Sequence, residues 1–259
     1  LPYIIRINYL NLIFRLNKVQ FLLLLVSYWL TPLPSEDKLN NRKRTNRLIH
    51  LSVNGEVLTN NIKATGEQIS NVVLDNIYQR RSVRNYSDKE VPDEIIREII
   101  RAGTYAPTAV NKQPWRFVVV ENRQLIDEYD DRAKKAFLAA FRDTENPDLV
   151  RYVQHLSKPT TQILYGAPVF ILVFASPDVI DEHDCALSAE NMMLAAHSLG
   201  IGSCWIGLAA GLGNDMEFLK EVGVPEGHKL IAPLIFGYPV KENQKAPARN
   251  TDVILKWIN

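Results

Sequence analysis

Three short clusters carry residue types that could do chemistry. The first is Arg80-Arg81-Ser82-Val83-Arg84. In an extended segment alternate side chains share a face, so Arg80, Ser82 and Arg84 point the same way. Two guanidinium forks around a hydroxyl suit a phosphate and its attached polyol, because arginine offers paired donors of fixed charge. The plainer alternative is a solvated basic turn. The second cluster runs from Ala106 to Phe117 (APTAVNKQPWRF). Its two prolines, Thr108, Asn111 and Gln113 make a rigid loop whose amides could read the edge of a planar heterocycle. The alternative is a structural connection, and Trp115 is expected in the core either way. The third is Leu199 to Gly207 (LGIGSCWIG). A dinucleotide fingerprint would need glycine where Trp205 stands and would open a helix rather than follow one. Gly211-Leu212-Gly213 fails likewise, with Met216 in the last position. What remains is a glycine-lined strand that lets a flat ligand approach the backbone. Near the end, after Gly237-Tyr238-Pro239, Arg249 is either another phosphate contact or a surface arginine.

Other chemistry finds little support. Cys185 and Cys204 form no CxxC pair, so a reducing, intracellular setting is the default. The apolar neighbours of Cys204 favour an inert buried thiol. The five histidines make no HxH or HExxH arrangement, so no metal site is expected. His197, on an alanine-rich stretch, reads as a satisfied interior histidine. No Ser-His-Asp or paired-carboxylate set stands out.

These clusters need a scaffold, and the periodicity supplies one from about residue 69 onward. Helices are expected over Asn71 to Gln79, from Pro92 to before Pro107, over Gln124 to Phe141 and over Asp148 to Leu164. Ala186 to Leu199 is an inner or interface helix, ended by Gly200. Strands are expected at Arg116 to Val120, Pro168 to Ala175, Ser203 to Ile206, Lys229 to Phe236 and Val253 to Trp257, with the apolar run PVFILVFA as the central one. The order implies an α/β or α+β sandwich with a mixed sheet.

The preceding residues differ in composition. Residues 1–65 hold nine asparagines but a single alanine and a single glycine, and carry +6; the remainder carries −5. The near-neutral total of +1 therefore gives no argument for nucleic acid or an acidic surface as partner. Residues 1–68 are expected to be an N-terminal extension, hydrophobic then basic, either disordered or outside the native protein. The absence of methionine before Met192 favours the second view as much as the first. Val19 to Leu33 is too short and too interrupted for a good membrane anchor. A frayed helix over residues 4–30 and a solvated basic linker at Asn40 to Arg47 complete the expectation for this part.

Taken in order, RRSVRNY (Arg80 to Tyr86), APTAVNKQPWRF (Ala106 to Phe117), AENMMLAAHSLGIGSCWIG (Ala189 to Gly207) and GYP with Arg249 resemble the FMN-dependent nitroreductase family, over about residues 73–255. The resemblance implies an α+β domain, a mixed sheet flanked by helices, in an interlocked homodimer with FMN sites built by both chains. It implies that Arg80, Ser82 and Arg249 hold the phosphate and ribityl end, that Arg81 is also cofactor-binding, and that Arg84 faces the pyrimidine N1 and O2 edge. Pro107, Thr108 and Ala109 would come from the partner, with Asn111 and Gln113 in reach of the flavin. Cys204, Trp205, Ile206, Gly207 and Leu208 would lie along one flavin edge near N5. The implied activity is a cytoplasmic, ping-pong NADH- or NADPH-dependent reduction of nitroaromatics, quinones or similar electrophiles, with no catalytic side chain beyond the cofactor and no metal. The alternatives are a membrane-anchored, iodotyrosine-deiodinase-like flavoprotein tethered through residues 19–33, the branch that makes dimethylbenzimidazole, and a flavin-binding module without turnover. No motif for the substrate lid is legible in residues 124–164.

Overall fold

The computed structural model describes residues 52–53, 56–57, 71–178, 181–241 and 245–259. The proposed anchor, the helix over 4–30 and the basic linker lie outside the described residues. Contacts divide the chain into two units, residues 1–67 and 68–259. In the first, β1 (Ser52–Val53) pairs antiparallel with β2 (Glu56–Val57).

The second unit begins with α1 (Val72–Gln79), where Asn71 accepts the Val73 and Leu74 amides as N-cap. Next come α2 (Asp93–Gly103), β3 (Trp115–Val120), α3 (Arg123–Ala140), α4 (Pro147–Leu156), β4 (Val169–Ala175) and α5 (His183–Ser198). The rest is β5 (Gly202–Trp205), a 3-10 segment Gly207–Asn214, α6 (Met216–Glu221) and β6 (Lys229–Gly237). The order of elements follows the expectation, except that α4 stops at Leu156 and no strand forms at Val253 to Trp257. That run is largely apolar, but nothing among the described residues pairs with it, and Leu255 and Trp257 stand in solvent.

The sheet order is β3-β4-β6-β5, and every ladder is antiparallel. The mixture is confined to one isolated parallel bridge, Ser82 to Ser203. All seven residues of β4 are buried because both faces are covered, which is why its sequence is continuously apolar rather than alternating. Phe170, Leu172 and Phe174 enter one core with residues of α3 and the 3-10 segment; Val169, Ile171 and Val173 enter another with α2 and α5. Pro233 is tolerated in β6 because β5 ends beside it: its carbonyl takes the Ile206 amide, so the missing N–H faces past the end of the ladder. Gly200, at φ 75°, closes α5, and Ile201 N donates back to Ala196 O.

Residues 82–87 run along this sheet. Val83 N donates to Ser203 O, Ser87 N to Tyr238 O, and Val240 N to Asn85 O. Val83 and Tyr86 point inward while Ser82 and Arg84 stay exposed. Tyr86 Oη closes the bend by donating to Val83 O at 2.7 Å. Val83 occupies the space a side chain at position 202 would need: a Cβ there would lie 2.8 Å from Val83 Cγ2. Gly202→Ala is therefore expected to cost about 1–3 kcal/mol by overpacking, read as a lower urea midpoint, with partial recovery in Gly202→Ala/Val83→Ala. An unchanged midpoint would disprove the steric account.

Candidate functional site

Two pockets flank this stretch, one lined by Arg80, Arg81 and Val83 and the other by Arg84; Ser82 lines neither. The first, of ≈ 290 Å³, is lined by Arg80, Arg81, His197, Ser203 and Lys241 among others. Arg80 Nη1 and Ser203 Oγ are buried without a hydrogen-bond partner. Arg80 Nε stands 3.7 Å from Glu190 of α5, and Arg81 Nη1 donates to Tyr78 O. Buried donors of this kind cost stability unless an acceptor arrives, and an anionic oxygen is the acceptor these groups suit. His197 was expected in the interior but is half-buried on this pocket's wall, because it lies on the side of the last turn of α5 that lines the pocket with Arg80 and Arg81, while Ala196 of the same turn enters the core.

The second pocket, of ≈ 560 Å³, holds Arg84 among Phe137, Phe141, Tyr152, Tyr165, Trp205, Gly207 and Leu208. Arg84 is its one charged side chain. Cys204 is buried, and burial pushes its thiol pKa up against the opposing pull of Arg84 and Ser82. A neutral, inaccessible thiol is a poor nucleophile. The glycines of this stretch divide in role. Gly202 makes room for Val83, not for a ligand, whereas nothing lies within 4 Å of a Cβ placed on Gly207. Behind Gly207 the 3-10 segment is locked to α3 through Arg132, which is bidentate to Asp215 (2.6 and 3.0 Å).

The loop 107–113 lies elsewhere. Ala109 N donates to Asp184 Oδ2 at 3.1 Å, in the first turn of α5. Gln113 N donates to Thr108 Oγ1, and Gln113 Nε2 to Asn111 Oδ1. Val110, Asn111 and Gln113 have φ of 46°, 56° and 48°, a cluster of strain of the kind found at functional sites. Val110 is 81% exposed. The first pocket touches α5 at His197, thirteen residues from Asp184, so the loop and that pocket stand about 20 Å apart along one helix. One chain thus brings Arg80, Arg81, Ser82, Arg84 and residues 204–208 together, and leaves Pro107, Thr108, Ala109, Asn111 and Gln113 at the far end. Arg249 joins neither group; it is exposed, with a local bond to Pro247 O at 3.5 Å.

The aromatic wall of the second pocket is not legible in the sequence. Phe137, Phe141 and Tyr152 sit at helical spacings indistinguishable from core positions, and Tyr165 had only its neighbour Gly166, just before a strand, as a signal. Among the described residues no helix is long and apolar enough to cross a membrane.

The model of the Nitroreductase family matches residues 77–238. An Archaeoglobus fulgidus protein named "Putative NADH dehydrogenase/NAD(P)H nitroreductase" is 34% identical over 173 residues, 64% of this chain and 84% of its own length. An iodotyrosine deiodinase from Haliscomenobacter hydrossis is 31% identical over 178 residues, 62% of this chain and 77% of its own. A nitroreductase from Bacteroides fragilis, solved with bound FMN, is 33% identical and superimposes with a TM-score of 0.63, covering 73% of this chain and all of that one.

The first pocket makes a pH prediction. Burial, and then the charges of Arg80 and Arg81, hold His197 below its ordinary value near 6.5. Lys241, also on the pocket wall, adds positive charge of the same sign. The unfolded chain therefore binds the proton more readily, so this contribution to stability is present above about pH 6.5 and is lost as pH falls through the folded value. The His197 ring-proton titration, followed by NMR, is expected to have a midpoint below 6.5, and His197→Gln to flatten the acid limb of urea midpoint against pH. A midpoint above 6.5 would contradict the electrostatics of the pocket.

Proposed function

The chain belongs to the nitroreductase family, and from that premise we propose that it is a cytoplasmic, FMN-dependent NAD(P)H oxidoreductase that reduces nitroaromatic, quinone or similar electrophilic small molecules in a ping-pong exchange of hydride. The observation that carries the cofactor is the pair of buried, unpartnered polar atoms in the first pocket, Arg80 Nη1 and Ser203 Oγ. A phosphate oxygen would satisfy both. Bound FMN would supply hydride acceptance and release at N5.

The residues divide the remaining work. Arg80, Arg81 and Ser82 hold the phosphate and ribityl end, with Arg249 brought in by the exposed 245–259 segment. Arg84 faces the pyrimidine N1 and O2 edge, where a fixed positive charge favours the electron-rich form of the ring. Cys204 to Leu208 lie along the flavin edge near N5, with the open side of Gly207 toward it. Phe137, Phe141, Tyr152 and Trp205 give the substrate space flat apolar walls that exclude water and leave orientation to Arg84.

The same geometry supports a homodimer. Pro107, Thr108, Ala109, Asn111 and Gln113 are about 20 Å along α5 from the first pocket of their own chain, so they complete a site only on a second copy. The exposed apolar residues Val72, Val73, Val110, Leu255, Trp257 and Ile258 supply a surface for that association. Deiodination of iodotyrosines is a second reading, favoured by the Haliscomenobacter hydrossis relative.

Purified protein is expected to be yellow, with bands at about 370 and 450 nm, to sediment as a dimer, and to bleach within seconds on anaerobic mixing with NADH or NADPH. A flavin that stays oxidised with both donors sinks the reductase reading, and turnover of 3-iodotyrosine in preference to nitroaromatics selects the second one. Arg80→Ala is expected to weaken FMN binding about 10- to 100-fold, the loss of one charge-assisted contact; an unchanged dissociation constant refutes its phosphate role.

A further inference from the structure

Tyr165 lies outside every motif singled out in the sequence, yet it reaches the site from its own direction. Its φ is 54°, and that of Gly166 is 64°. For a bulky side chain the left-handed region is an outlier that persists only where the surroundings over-determine it. Here one stripe of α3 does so. Arg123 Nη1 donates to Gly166 O at 2.8 Å, Gln162 Nε2 donates to Asp127 Oδ1 at 3.4 Å, Leu164 N donates to Asp130 Oδ1 at 2.6 Å, and Lys134 Nζ donates to Thr161 O at 3.0 Å. Positions 123, 127, 130 and 134 share one helix face. Asp130 is 3% exposed; burial raises its pKa, and the Leu164 and Ile163 amides oppose that rise. A Cβ on Gly166 would sit 3.2 Å from Arg123 Nη2, so the clamp also fixes glycine at 166.

The ring that this clamp presents lies under Arg84, with Cζ 6.0 Å from its centroid, in the range where an aromatic face attracts a guanidinium. Both side chains line the second pocket. Among the described residues no carboxylate pairs with Arg84, whereas the Tyr165 hydroxyl accepts a hydrogen bond from it, so ring and hydroxyl hold it together. We propose that Tyr165 is a positioning residue: its ring, held in the left-handed region by α3, sets the direction of the Arg84 guanidinium and hence of the charge offered to the FMN pyrimidine edge. The inference rests on the FMN reading above. It also accounts for four side chains of α3 gripping a six-residue segment that carries no other chemistry.

Three variants separate ring from backbone. Tyr165→Phe keeps the aromatic face, whereas Tyr165→Asn and Tyr165→Gly accept the left-handed backbone and present no ring. FMN affinity, read by flavin fluorescence, is expected to weaken in Tyr165→Phe, which loses only the hydroxyl contact with Arg84, and to weaken further, by about tenfold, in the other two. Both also lose the packing of Tyr165 against the core, so the coupling to Arg84 carries the test. Arg84→Ala added to Tyr165→Asn should weaken binding no further, because the two act as one unit. Equal affinity in all single variants, or additive losses in the double variant, overturns the proposal. A wild type that binds no FMN overturns the cofactor reading and this inference with it.

Discussion

Everything at the site depends on how residues 82–87 are fastened to the sheet. Val83 fills the hollow over Gly202, and three backbone hydrogen bonds run from this segment to Ser203, Tyr238 and Val240. An extended chain anchored by one inward side chain must turn its neighbours outward. Ser82 and Arg84 therefore face solvent, with Arg80 two residues before, and the spacing of the motif becomes a spacing of charges along the sheet edge. The glycine at 202 exists for Val83, and through Val83 for the arginines.

Strain is concentrated in the same region. Among the described residues, the four non-glycine positions with positive φ are Val110, Asn111, Gln113 and Tyr165. Three belong to the loop that Asp184 holds at the start of α5, and the fourth stands beside Arg84. Each such residue costs of the order of 1–3 kcal/mol. Such cost is retained where surrounding bonds enforce it, and buried carboxylates do so in both places: Asp184 accepts the Ala109 amide, and Asp130 the Leu164 amide. A desolvated carboxylate aimed at a backbone N–H makes a strong hydrogen bond, and neither carboxylate serves as acid or base in the proposed chemistry.

The sequence was legible where one physical rule dominated. The continuous apolar run of β4, the Asn71 cap and the Gly200 stop each reflect a local requirement, and each element formed where its pattern placed it. Val253 to Trp257 met the same compositional test and failed, because a strand needs a partner edge and none is offered to it within the described chain. The pocket walls were illegible for the opposite reason. Phe137 and Phe141 obey helical periodicity, and whether such residues face a core or a cavity is decided by distant elements, here the 3-10 segment and the Tyr165 turn. His197 was misplaced on the same ground, since its alanine-rich surroundings say nothing about which turn of α5 reaches the arginines.

Charge gives the last step. The residues after 65 sum to −5, yet the first pocket gathers Arg80, Arg81 and Lys241 with Glu190 as the near counter-charge. A net charge averages over a surface tens of ångströms wide, while a ligand responds to charges within about one Debye length, ~8 Å at physiological ionic strength. Among the described residues the pocket lining carries Arg80, Arg81 and Lys241 and no carboxylate, and Arg80 Nη1 and Ser203 Oγ lack acceptors there. In the proposed reading an anion is drawn to this end and a flat, apolar body to the aromatic end, where Arg84 stands as the one charged side chain. The 80–84 segment, with three residues between its outer arginines, fixes how far apart those two requirements lie. A molecule that satisfies both must carry its anionic group on a tether leading from a planar ring.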